Sequence, residues 1–312
     1  MPKLIVLTNK ADVTADYLVL AAEEADVSCL RLNTEDLCST KVSIFPIAND
    51  SPVLRTASGR KMELTGALTI YRRPEKPSPP LGFDGNAEFL ADQWWPLLTA
   101  LGDLDGNKWL NSPTMISRAE NKLLQMQCAY ACGFRVPESV YSNDAATLHR
   151  LRQEHESLIV KASGTPLIEN LDHPSEFVFT TALGPDAPIP ETEVSLCPVL
   201  VQERINVMRH LRITVVRNQT YSAHVQPADG DILDWRASAE PPAVSRIVLP
   251  GPVSKQAVEL VRQMNLQFAS MDVLEDENGE FFFLDLNPNG EWGWLQKRAE
   301  LPIAEAIVGL VR

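Results

Sequence analysis

Two apolar runs flank an Asn-Gly pair in residues 271–287, which read MDVLEDENGEFFFLDLN. An Asn-Gly pair between apolar runs is the strongest local signal for a β-hairpin, and it favours a two-residue type I′ loop. We therefore predict a hairpin whose loop is Asn278-Gly279 and whose first paired residues are Glu277 and Glu280. Because side chains alternate along a strand, this loop length also fixes which residues face each other farther from the turn.

The predicted register brings acidic side chains together. It pairs Asp272 with Asp285, and Asn287 lies two residues farther on the same face. Directly opposed carboxylates repel each other, and burial raises the pKa of one of them. A divalent cation relieves the repulsion, and carboxylate and amide oxygens suit Mg²⁺. The spacing favours a Mg²⁺ site at Asp272, Asp285 and Asn287; the alternative is a solvated hairpin edge with an exposed Asp272.

Length and composition indicate a globular protein of two or three subdomains, with 312 residues, 45% hydrophobic and 22% charged. Apolar runs are all shorter than the roughly 20 residues that span a bilayer, so we expect no membrane insertion. The first residues, MPKLIVL, are typical of a strand and lack a signal-peptide cleavage site. The net charge of −13 and the lack of any Lys/Arg run argue against nucleic-acid binding. The charge favours solubility, or attraction of a positively charged peptide.

Five cysteines are too few, and odd in number, for a disulfide framework. Cys128 and Cys132 lie one helical turn apart, but no nearby Cys or His pair completes a metal site. We therefore predict reduced thiols and a cytoplasmic location.

Alternating strand and helix patterns predict an α/β unit in the first ~110 residues. No Gly-x-Gly-x-x-Gly follows the first strand, so a dinucleotide site of that type is unsupported. Later patterns predict a hairpin of residues 210–216 and 221–225 around Asn218-Gln219. The predicted strands of the α/β unit are residues 4–8, 27–32 and 67–72, and its helices are 14–25 and 86–101; farther on we expect strands at 139–141, 157–161, 176–182 and 198–202 and helices at 144–155, 253–266 and 303–311.

One helix has clear start and stop signals. Ser117 and Glu120 have the spacing of a capping box, with Ser117 as N-cap. Gly133 is suited to the position after the last helical residue, and Pro137 prevents continuation. This prediction places Lys122 in the second turn of a helix, where it is either solvated or turned toward an anion.

Two further basic residues, Lys161 and Arg212, each have more than one interpretation. Lys161 ends the apolar run Leu158-Ile159-Val160, where it needs an anionic partner such as phosphate or a structural Glu, unless its stem reaches solvent. Arg212 alternates with Leu211 and Ile213 and so faces away from them. It is suited to a phosphate or carboxylate, or to a surface ion pair.

Several short motifs, in this order and spacing, resemble the ATP-grasp superfamily and more narrowly the graspetide (microviridin-type) peptide ligases. The resemblance covers nearly the whole chain. Its most specific element is the ending, residues 283–294. The motifs are YRRP at 71–74, WLNSP at 109–113, ENK at 120–122 with Gln125, IVK at 159–161, QERI at 202–205, LRITVV at 211–216, DWR at 234–236 and FLDLNPNGEWGW at 283–294.

The resemblance implies an ATP-grasp fold of the α/β (α+β) class, with ATP held between a central and a C-terminal subdomain. It implies an N-terminal domain at residues 1–112, a central subdomain at 113–198 and a C-terminal subdomain at 199–312. The residues that it assigns to ATP are Lys122 and Lys161 at the phosphates, Gln202, Glu203 and Ile205 around adenine, and His210 near the ribose. It assigns Mg²⁺ to Asp272, Asp285 and Asn287, the transferring phosphoryl group to Arg212 and Arg236, and acidic residues of a peptide substrate to Arg72 and Arg73, although Arg73 before Pro74 is also suited to a turn.

This chain departs from the family pattern at three places. His210 stands where the family usually has an acidic ribose ligand, which leaves the ribose contact to Glu203 or another residue. Asp285 replaces a Glu that is common in the superfamily and shortens the arm of a metal ligand. After Lys161 the chain has only Gly164, unlike the usual glycine-rich phosphate cover.

The implied activity is ligation through an acylphosphate, with ATP and Mg²⁺ as cofactors. Ligases of this group activate Asp or Glu side chains of a ribosomally made precursor peptide and join them to Thr, Ser or Lys, which closes a macrocyclic ester or amide. The resemblance also implies a homodimer. Two alternatives stay open: an ATP-grasp amino-acid ligase that extends a peptide or protein, and an inactive nucleotide- or peptide-binding scaffold.

Overall fold

The N-terminal part of the chain forms a parallel sheet with the strand order β2-β1-β6-β7. Its central strand β1 is buried along its whole length, which matches its apolar sequence LIVLT. A small antiparallel sheet, β3-β4-β5, lies beside it. The elements are β1 (Leu4–Thr8), α1 (Val13–Glu24), β2 (Cys29–Asn33), a 3-10 helix (Thr34–Ser39), β3 (Lys41–Ser43), β4 (Val53–Arg55), β5 (Lys61–Glu63), β6 (Leu68–Tyr71), α2 (Ala87–Ala100) and β7 (Lys108–Trp109). The computed structural model describes residues 1–45, 52–56, 59, 61–80, 82–104, 106–162, 164, 167–168, 176–228, 233 and 240–311.

The helix predicted from Ser117 to Gly133 is wrong, because the structure has two helices there: α3 (Pro113–Ala119) and α4 (Lys122–Ala131). The side chain of Ser112 caps α3, which begins with Pro113, and the side chain of Asn121 caps α4. Ser117 therefore lies inside a helix, and Lys122 is the first residue of α4 and not part of a second turn. Gly133, with φ of +92°, does follow the end of the helix as predicted.

A central antiparallel sheet follows, with the strand order β12-β9-β13-β8. Helix α5 covers it, with Leu148 and Leu151 packed on Leu158 and Val201. The single strand predicted at 176–182 is instead two short strands in different sheets. The elements are β8 (Ser139–Ser142), α5 (Ala145–Glu154), β9 (Leu158–Lys161), β10 (Leu167–Ile168), β11 (Glu176–Phe177), β12 (Thr181–Leu183), α6 (Glu191–Val194) and β13 (Val199–Glu203).

The last sheet is antiparallel, with the strand order β16-β15-β14-β17-β18. Helix α7 packs on one face, where Leu260 and Val261 meet Ile213 and Met271. The β14–β15 hairpin forms as predicted, but Val216 pairs with Gln219, so its two-residue loop is Arg217-Asn218. The elements are β14 (Val207–Val216), β15 (Gln219–Gln226), β16 (Ala243–Ile247), α7 (Gly251–Gln263), β17 (Phe268–Asp276) and β18 (Phe281–Asn287).

The β17–β18 hairpin reaches the predicted pairing of Asp272 with Asp285 by a different route. Its loop has three residues, Glu277 to Gly279, because Asp276 pairs with Glu280 and accepts hydrogen bonds from the turn. That loop shifts the register by one residue from the prediction. A β-bulge at Leu284 shifts it back, since Val273 pairs with Phe283 and Asp272 with Asp285.

Two C-terminal helices, α8 (Gly293–Ala299) and α9 (Ile303–Val308), continue into a 3-10 turn (Gly309–Val311) and fold back onto α1. Trp292, fully buried, shares a hydrophobic core with Leu4, Leu18 and Ile307. The first and last parts of the chain therefore complete one core. No helix among the described residues is long and apolar enough to cross a bilayer. All five cysteines are free thiols.

Candidate functional site

A cavity of about 300 Å³ separates the central sheet from the five-stranded sheet. Its apolar lining comes from both sides, with Ile159 and Leu200 facing Leu274 and Leu284. Eight of the residues predicted to hold ATP or Mg²⁺ line it: Lys122, Lys161, Gln202, Glu203, Ile205, His210, Asp272 and Asp285. The predicted residues that the cavity lining does not include are Asn287, Arg212, Arg72 and Arg73. Arg236 lies outside the described residues.

The wall nearest the end of β13 combines a buried amide with a fixed backbone. Gln202 is 2% exposed, and its Nε2 donates to Ser139 Oγ at 2.8 Å. Its Oε1 is buried, and no described residue donates to it. The backbone N–H of Glu203 donates to the carbonyl of Glu138 at 2.8 Å, and that of Arg204 to the carbonyl of Ser157 at 2.9 Å. This wall therefore offers a ligand a fixed strand end beside an unused amide oxygen.

The opposite wall carries the acidic pair. Asp272 and Asp285 lie opposite each other on β17 and β18. Leu284 and Asp285, which together face Asp272 across the bulge, both line the cavity. The two carboxylates are each neutralised by a cation, since Arg212 Nη1 lies 2.9 Å from Asp272 Oδ1 and Lys122 Nζ forms an ion pair with Asp285.

These oxygens form a donor set that suits a divalent ion. Two carboxylates come from adjacent strands, and Asn287 pairs with Ser270 next to them. Asn287 Oδ1 accepts the backbone N–H of Asn289 at 2.9 Å, which orients the amide and leaves its second lone pair available. No cluster of three or more His, Cys, Asp or Glu side chains occurs in the part of the chain that the structure describes, so an ion here needs phosphate or water oxygens as further ligands.

Arg212 borders this wall from β14, on the sheet face opposite to Leu211 and Ile213, as predicted. Its side chain is 11% exposed, and its Nε is buried with no acceptor among the described residues. A buried guanidinium N–H without a partner is costly. The side chain is therefore equipped to take a further anion beside Asp272.

Arg72 lies elsewhere, in a buried ion-pair cluster. It is 3% exposed, and its Nε lies 2.9 Å from Asp12 Oδ2 and its Nη2 2.8 Å from Glu291 Oε1. Arg73 is 53% exposed and reaches the same Glu291 oxygen at 2.9 Å. Two carboxylates therefore bind Arg72 inside this cluster, and the contact of Arg72 and Arg73 with a peptide stays a prediction.

Asp12 is held ionised in this cluster. Burial raises its pKa, but hydrogen bonds and charge from Arg72, with the hydroxyl of Thr8 at 2.5 Å, outweigh burial and lower the pKa below the ordinary value. Asp12 also caps α1 by accepting the N–H of Ala15 at 3.1 Å. One carboxylate thus starts a helix and anchors Arg72.

Four residues with clear structural roles had no role in our sequence interpretation. Gln125 is 1% exposed, and its amide both donates to and accepts from the backbone of Leu286, the residue between Asp285 and Asn287. Asn111 donates to the carbonyls of Phe268 and Pro288. Asp12, Glu291, Gln125 and Asn111 all pair across long sequence separations. Asn111, Gln125 and Glu291 belong to the quoted motifs, but a motif does not reveal which backbone group or charge its residues contact.

The fold of this chain is that of solved ATP-grasp ligases. A macrocyclase, MdnC, from Microcystis aeruginosa MRC, bound with its precursor peptide MdnA, matches with a TM-score of 0.83 at 24% identity, over 99% of this chain and 98% of that one. A RiPP-associated ATP-grasp ligase from Chryseobacterium gregarium, in complex with ADP and a leader and core peptide, matches with a TM-score of 0.87 at 22% identity, over 100% and 96%. The ATP-grasp ligase PsnB, complexed with a minimal precursor, Mg and ADP, matches with a TM-score of 0.77 at 17% identity, over 99% and 96%.

No family model matches the chain, and no curated protein matches its sequence. The structural matches confirm the predicted ATP-grasp fold and its α+β class. Because their identities are low, the activity rests on the residues of the cavity.

Proposed function

We propose that this chain is an ATP-dependent ligase that activates carboxylates of a precursor peptide and cross-links them to its hydroxyl or amino side chains. One observation carries the proposal: a cavity between two sheets has lysines, Lys122 and Lys161, and a pair of opposed carboxylates, Asp272 and Asp285, around one space. Cations and metal-binding carboxylates around a partly apolar cavity suit a nucleoside triphosphate with its metal.

In this proposal the nucleotide base lies at the end of β13. The apolar lining at Ile159, Leu200 and Leu274 takes the flat faces of adenine, and Gln202, Glu203 and Ile205 border its edge. The unpartnered Oε1 of Gln202 gives an amino group a hydrogen-bond acceptor. His210, also in the lining, and Glu203 then face the ribose.

The triphosphate extends toward the acidic pair. Lys122 and Lys161 neutralise phosphate oxygens, and Lys122 exchanges its present partner Asp285 for phosphate. Mg²⁺, held by Asp272, Asp285 and Asn287, would tie the phosphates to β17 and β18 and neutralise charge that builds up during transfer. Arg212, with its unused Nε, binds the transferring phosphoryl group beside Asp272. Arg236 keeps the same proposed role.

The reaction has two steps that these residues align. A carboxylate oxygen of the peptide attacks the γ-phosphorus of ATP, the bond to the bridging oxygen breaks, and ADP leaves with that electron pair. The hydroxyl or amine of the peptide then attacks the acyl carbon and gives up a proton, and inorganic phosphate leaves. ATP becomes ADP and phosphate, and the peptide loses one water for each cross-link.

A peptide substrate is supported by the solved ligases of this fold, because those described above were solved in complex with precursor, leader or core peptides. Asp or Glu as the activated residue, and Thr, Ser or Lys as the acceptor, belong to the proposal. A homodimer is also proposed, and light scattering on the purified protein tests it.

The decisive measurement is the mass of a peptide encoded next to this gene after incubation with the enzyme, ATP and Mg²⁺. We expect loss of one water per ring together with release of ADP. An Asp285→Asn variant should lower the rate by about 100-fold, because it removes a metal ligand. Glu277→Gln, which removes an exposed carboxylate from the loop of the same hairpin, is the control and should behave as wild type.

Other outcomes separate the alternatives. A gain in mass would establish an amino-acid ligase, and the absence of ADP release with every adjacent peptide would favour an inactive scaffold. ADP release without water loss would contradict cross-linking while keeping carboxylate activation.

A further inference from the structure

The loop of residues 287–291 begins at the last residue of β18, the strand that carries Asp285, and lies on the face of the sheet that carries Arg212. A Cβ added at Gly290 would meet Ser270 Cβ at 2.6 Å and Arg212 Nη2 at 3.0 Å, so the loop backbone packs directly on both side chains. The loop begins at Asn287, the proposed metal ligand, and ends at Glu291. Its position therefore affects both the amide of Asn287 and the guanidinium of Arg212.

The N-terminal part of the chain holds the far end of this loop. Glu291 Oε1 accepts from Arg72 Nη2 at 2.8 Å and from Arg73 Nε at 2.9 Å, and its Oε2 accepts from the hydroxyl of Thr14. Arg72 is in turn fixed by Asp12, which is buried. Both oxygens of Glu291 are thus occupied by donors from two different N-terminal elements, the start of α1 and the segment after β6.

A buried arginine that binds two carboxylates restricts their positions more strictly than a surface ion pair does. The N–H groups of its planar guanidinium have fixed directions, and the loss of either carboxylate would leave a buried charge without a partner, which costs free energy of folding. The middle of the loop has its own support, since Asn111 Nδ2 donates to the carbonyl of Pro288 at 3.0 Å. Glu291 is the loop's only charged residue. All ion pairs between this loop and the N-terminal part therefore depend on the side chain of Glu291.

We infer that Glu291 is a positioning residue. Its ion pair with Arg72 and its hydrogen bond with Thr14 hold the 287–291 loop against the sheet. The loop in turn fixes the positions of Asn287 and Arg212, which bind the metal-bound nucleotide. This inference rests on the proposed function. Glu291 touches neither nucleotide nor peptide in this account, and it acts through the loop. The N-terminal part of the chain then contributes to nucleotide binding without lining the nucleotide cavity.

The test compares the binding of ADP with and without a metal ion. Titration calorimetry measures the Kd of ADP in the presence of Mn²⁺, and again in EDTA, for wild type and for Glu291→Gln. We expect the Kd with Mn²⁺ to rise by about tenfold, as for substitutions that support a metal ligand, while the Kd in EDTA changes less than about twofold. General damage to the fold would weaken both measurements alike.

Glu275→Gln is the matched control. Glu275 is a buried carboxylate that pairs with an arginine, Arg209, as Glu291 pairs with Arg72. The cavity lining does not include Glu275, which lies opposite Phe281, at the end of β18 away from the loop. We expect the Glu275→Gln variant to have a lower melting temperature, as we expect for Glu291→Gln, but an unchanged Kd of ADP with Mn²⁺. A Glu291→Asp variant keeps the charge and should recover part of the lost affinity.

The outcomes are distinct. An unchanged Kd with Mn²⁺ in Glu291→Gln, beside normal binding by wild type, would overturn the inference and leave the proposed function intact. An equal loss in EDTA would also overturn it, since the residue would then support the fold alone. If wild type itself failed to bind ADP with Mn²⁺, the proposed function would fall and this inference with it.

Discussion

At the scale of single residues, the carboxylate of Asp12 makes three separate interactions. It caps α1, accepts from Thr8 and faces the buried guanidinium of Arg72. Asparagine caps helices as well as aspartate does. Asp12→Asn therefore keeps the cap and removes only the charge opposite Arg72.

We expect Asp12→Asn to lower the free energy of unfolding by about 3 kcal/mol at pH 7, because it leaves Arg72 with one buried partner fewer. The folded pKa of Asp12 lies below the ordinary value of 3.8. The unfolded chain therefore takes up this proton first as the pH falls, and the stabilisation, complete above about pH 4, is lost through the folded pKa. Urea unfolding of both proteins should show their difference shrinking below about pH 4.

Asp144→Asn is the control for this prediction. Asp144 also caps a helix, α5, and has a lowered pKa owing to hydrogen bonds from Thr147 and Ala146, but it is exposed and faces no buried cation. Its substitution should change stability much less. A difference between wild type and Asp12→Asn that did not vary with pH would contradict the ionised pair.

Sequence reasoning succeeded at this scale where one local pattern decides the outcome. The alternation around Arg212 gave its correct face. Eight residues that the resemblance assigned to ATP or Mg²⁺ line one cavity, and their roles as ligands stay a prediction. Sequence reasoning did not reveal the partners of Arg72, because the sequence shows a cation after a strand but not Asp12 and Glu291, which lie 60 residues before it and 219 residues after it. Such partners become visible only when the chain is folded.

At the scale of elements, the β17–β18 hairpin reached the right pairing through two deviations that cancel. Asn-Gly favours a two-residue loop, but the side chain of Asp276 accepts the N–H groups of Asn278 and Glu280 and so stabilises a three-residue loop. The bulge at Leu284 then restores the register of Asp285. Local sequence gave no signal for the bulge.

The two helices at 113–131 illustrate competing local signals. Ser117 and Glu120 have capping-box spacing, yet Ser112 before Pro113 and Asn121 before Lys122 provide the caps that form. The break matters for the site, since it makes Lys122 the first residue of α4 and places Gln125 against Leu286. A pattern search alone does not rank one cap above another.

The close packing of the 287–291 loop gives a prediction at this scale. Gly290→Ala would put a methyl group 2.6 Å from Ser270 Cβ, which is fixed to the backbone of β17, so the loop has to move. We expect a loss of about 1–3 kcal/mol in the free energy of unfolding and weaker binding of ADP with Mn²⁺. Thermal unfolding and calorimetry measure the two effects.

Gly309→Ala serves as the comparison, because Gly309 has a helical φ of −58° and no atom lies within 4 Å of an added Cβ. That variant should keep wild-type stability or gain slightly. The double variant Gly290→Ala with Ser270→Gly removes the clash and should recover nucleotide affinity. Failure of this second change to restore any binding would show that steric contact at Ser270 is not the cause.

At the scale of the whole molecule, the hydrophobic core that contains Trp292 joins the ends of the chain. It packs β1 and α1 against α8 and α9, and it reaches Phe268 and Val216 of the five-stranded sheet. Sequence patterns predicted β1, α1 and α9 one by one but not α8, and the resemblance divided the chain at residues 112 and 198. The sequence did not predict this shared core, because tertiary packing across about 290 residues leaves no periodic pattern.

The Trp292→Ala variant tests whether β1 and α9 depend on the same hydrophobic core. Removing a fully buried indole should cost about 3–5 kcal/mol. Because the core is shared, hydrogen exchange should speed up in β1 as well as in α9. Leu98→Ala, in the core under α2, is the comparison and should affect the N-terminal part more selectively. Faster exchange confined to α9 in the Trp292 variant would contradict a common core.

The shared core also bears on how the chain is made. A ribosome releases Leu4 and Leu18 long before Trp292 and Ile307, which share their core. Until Trp292 and Ile307 emerge, the apolar surface that β1 and α1 form together lacks the cover of α8 and α9. The nascent chain therefore exposes apolar surface of the kind that chaperones bind. We expect a premature stop codon before position 292 to leave this surface exposed and to lower the amount of protein in the cell.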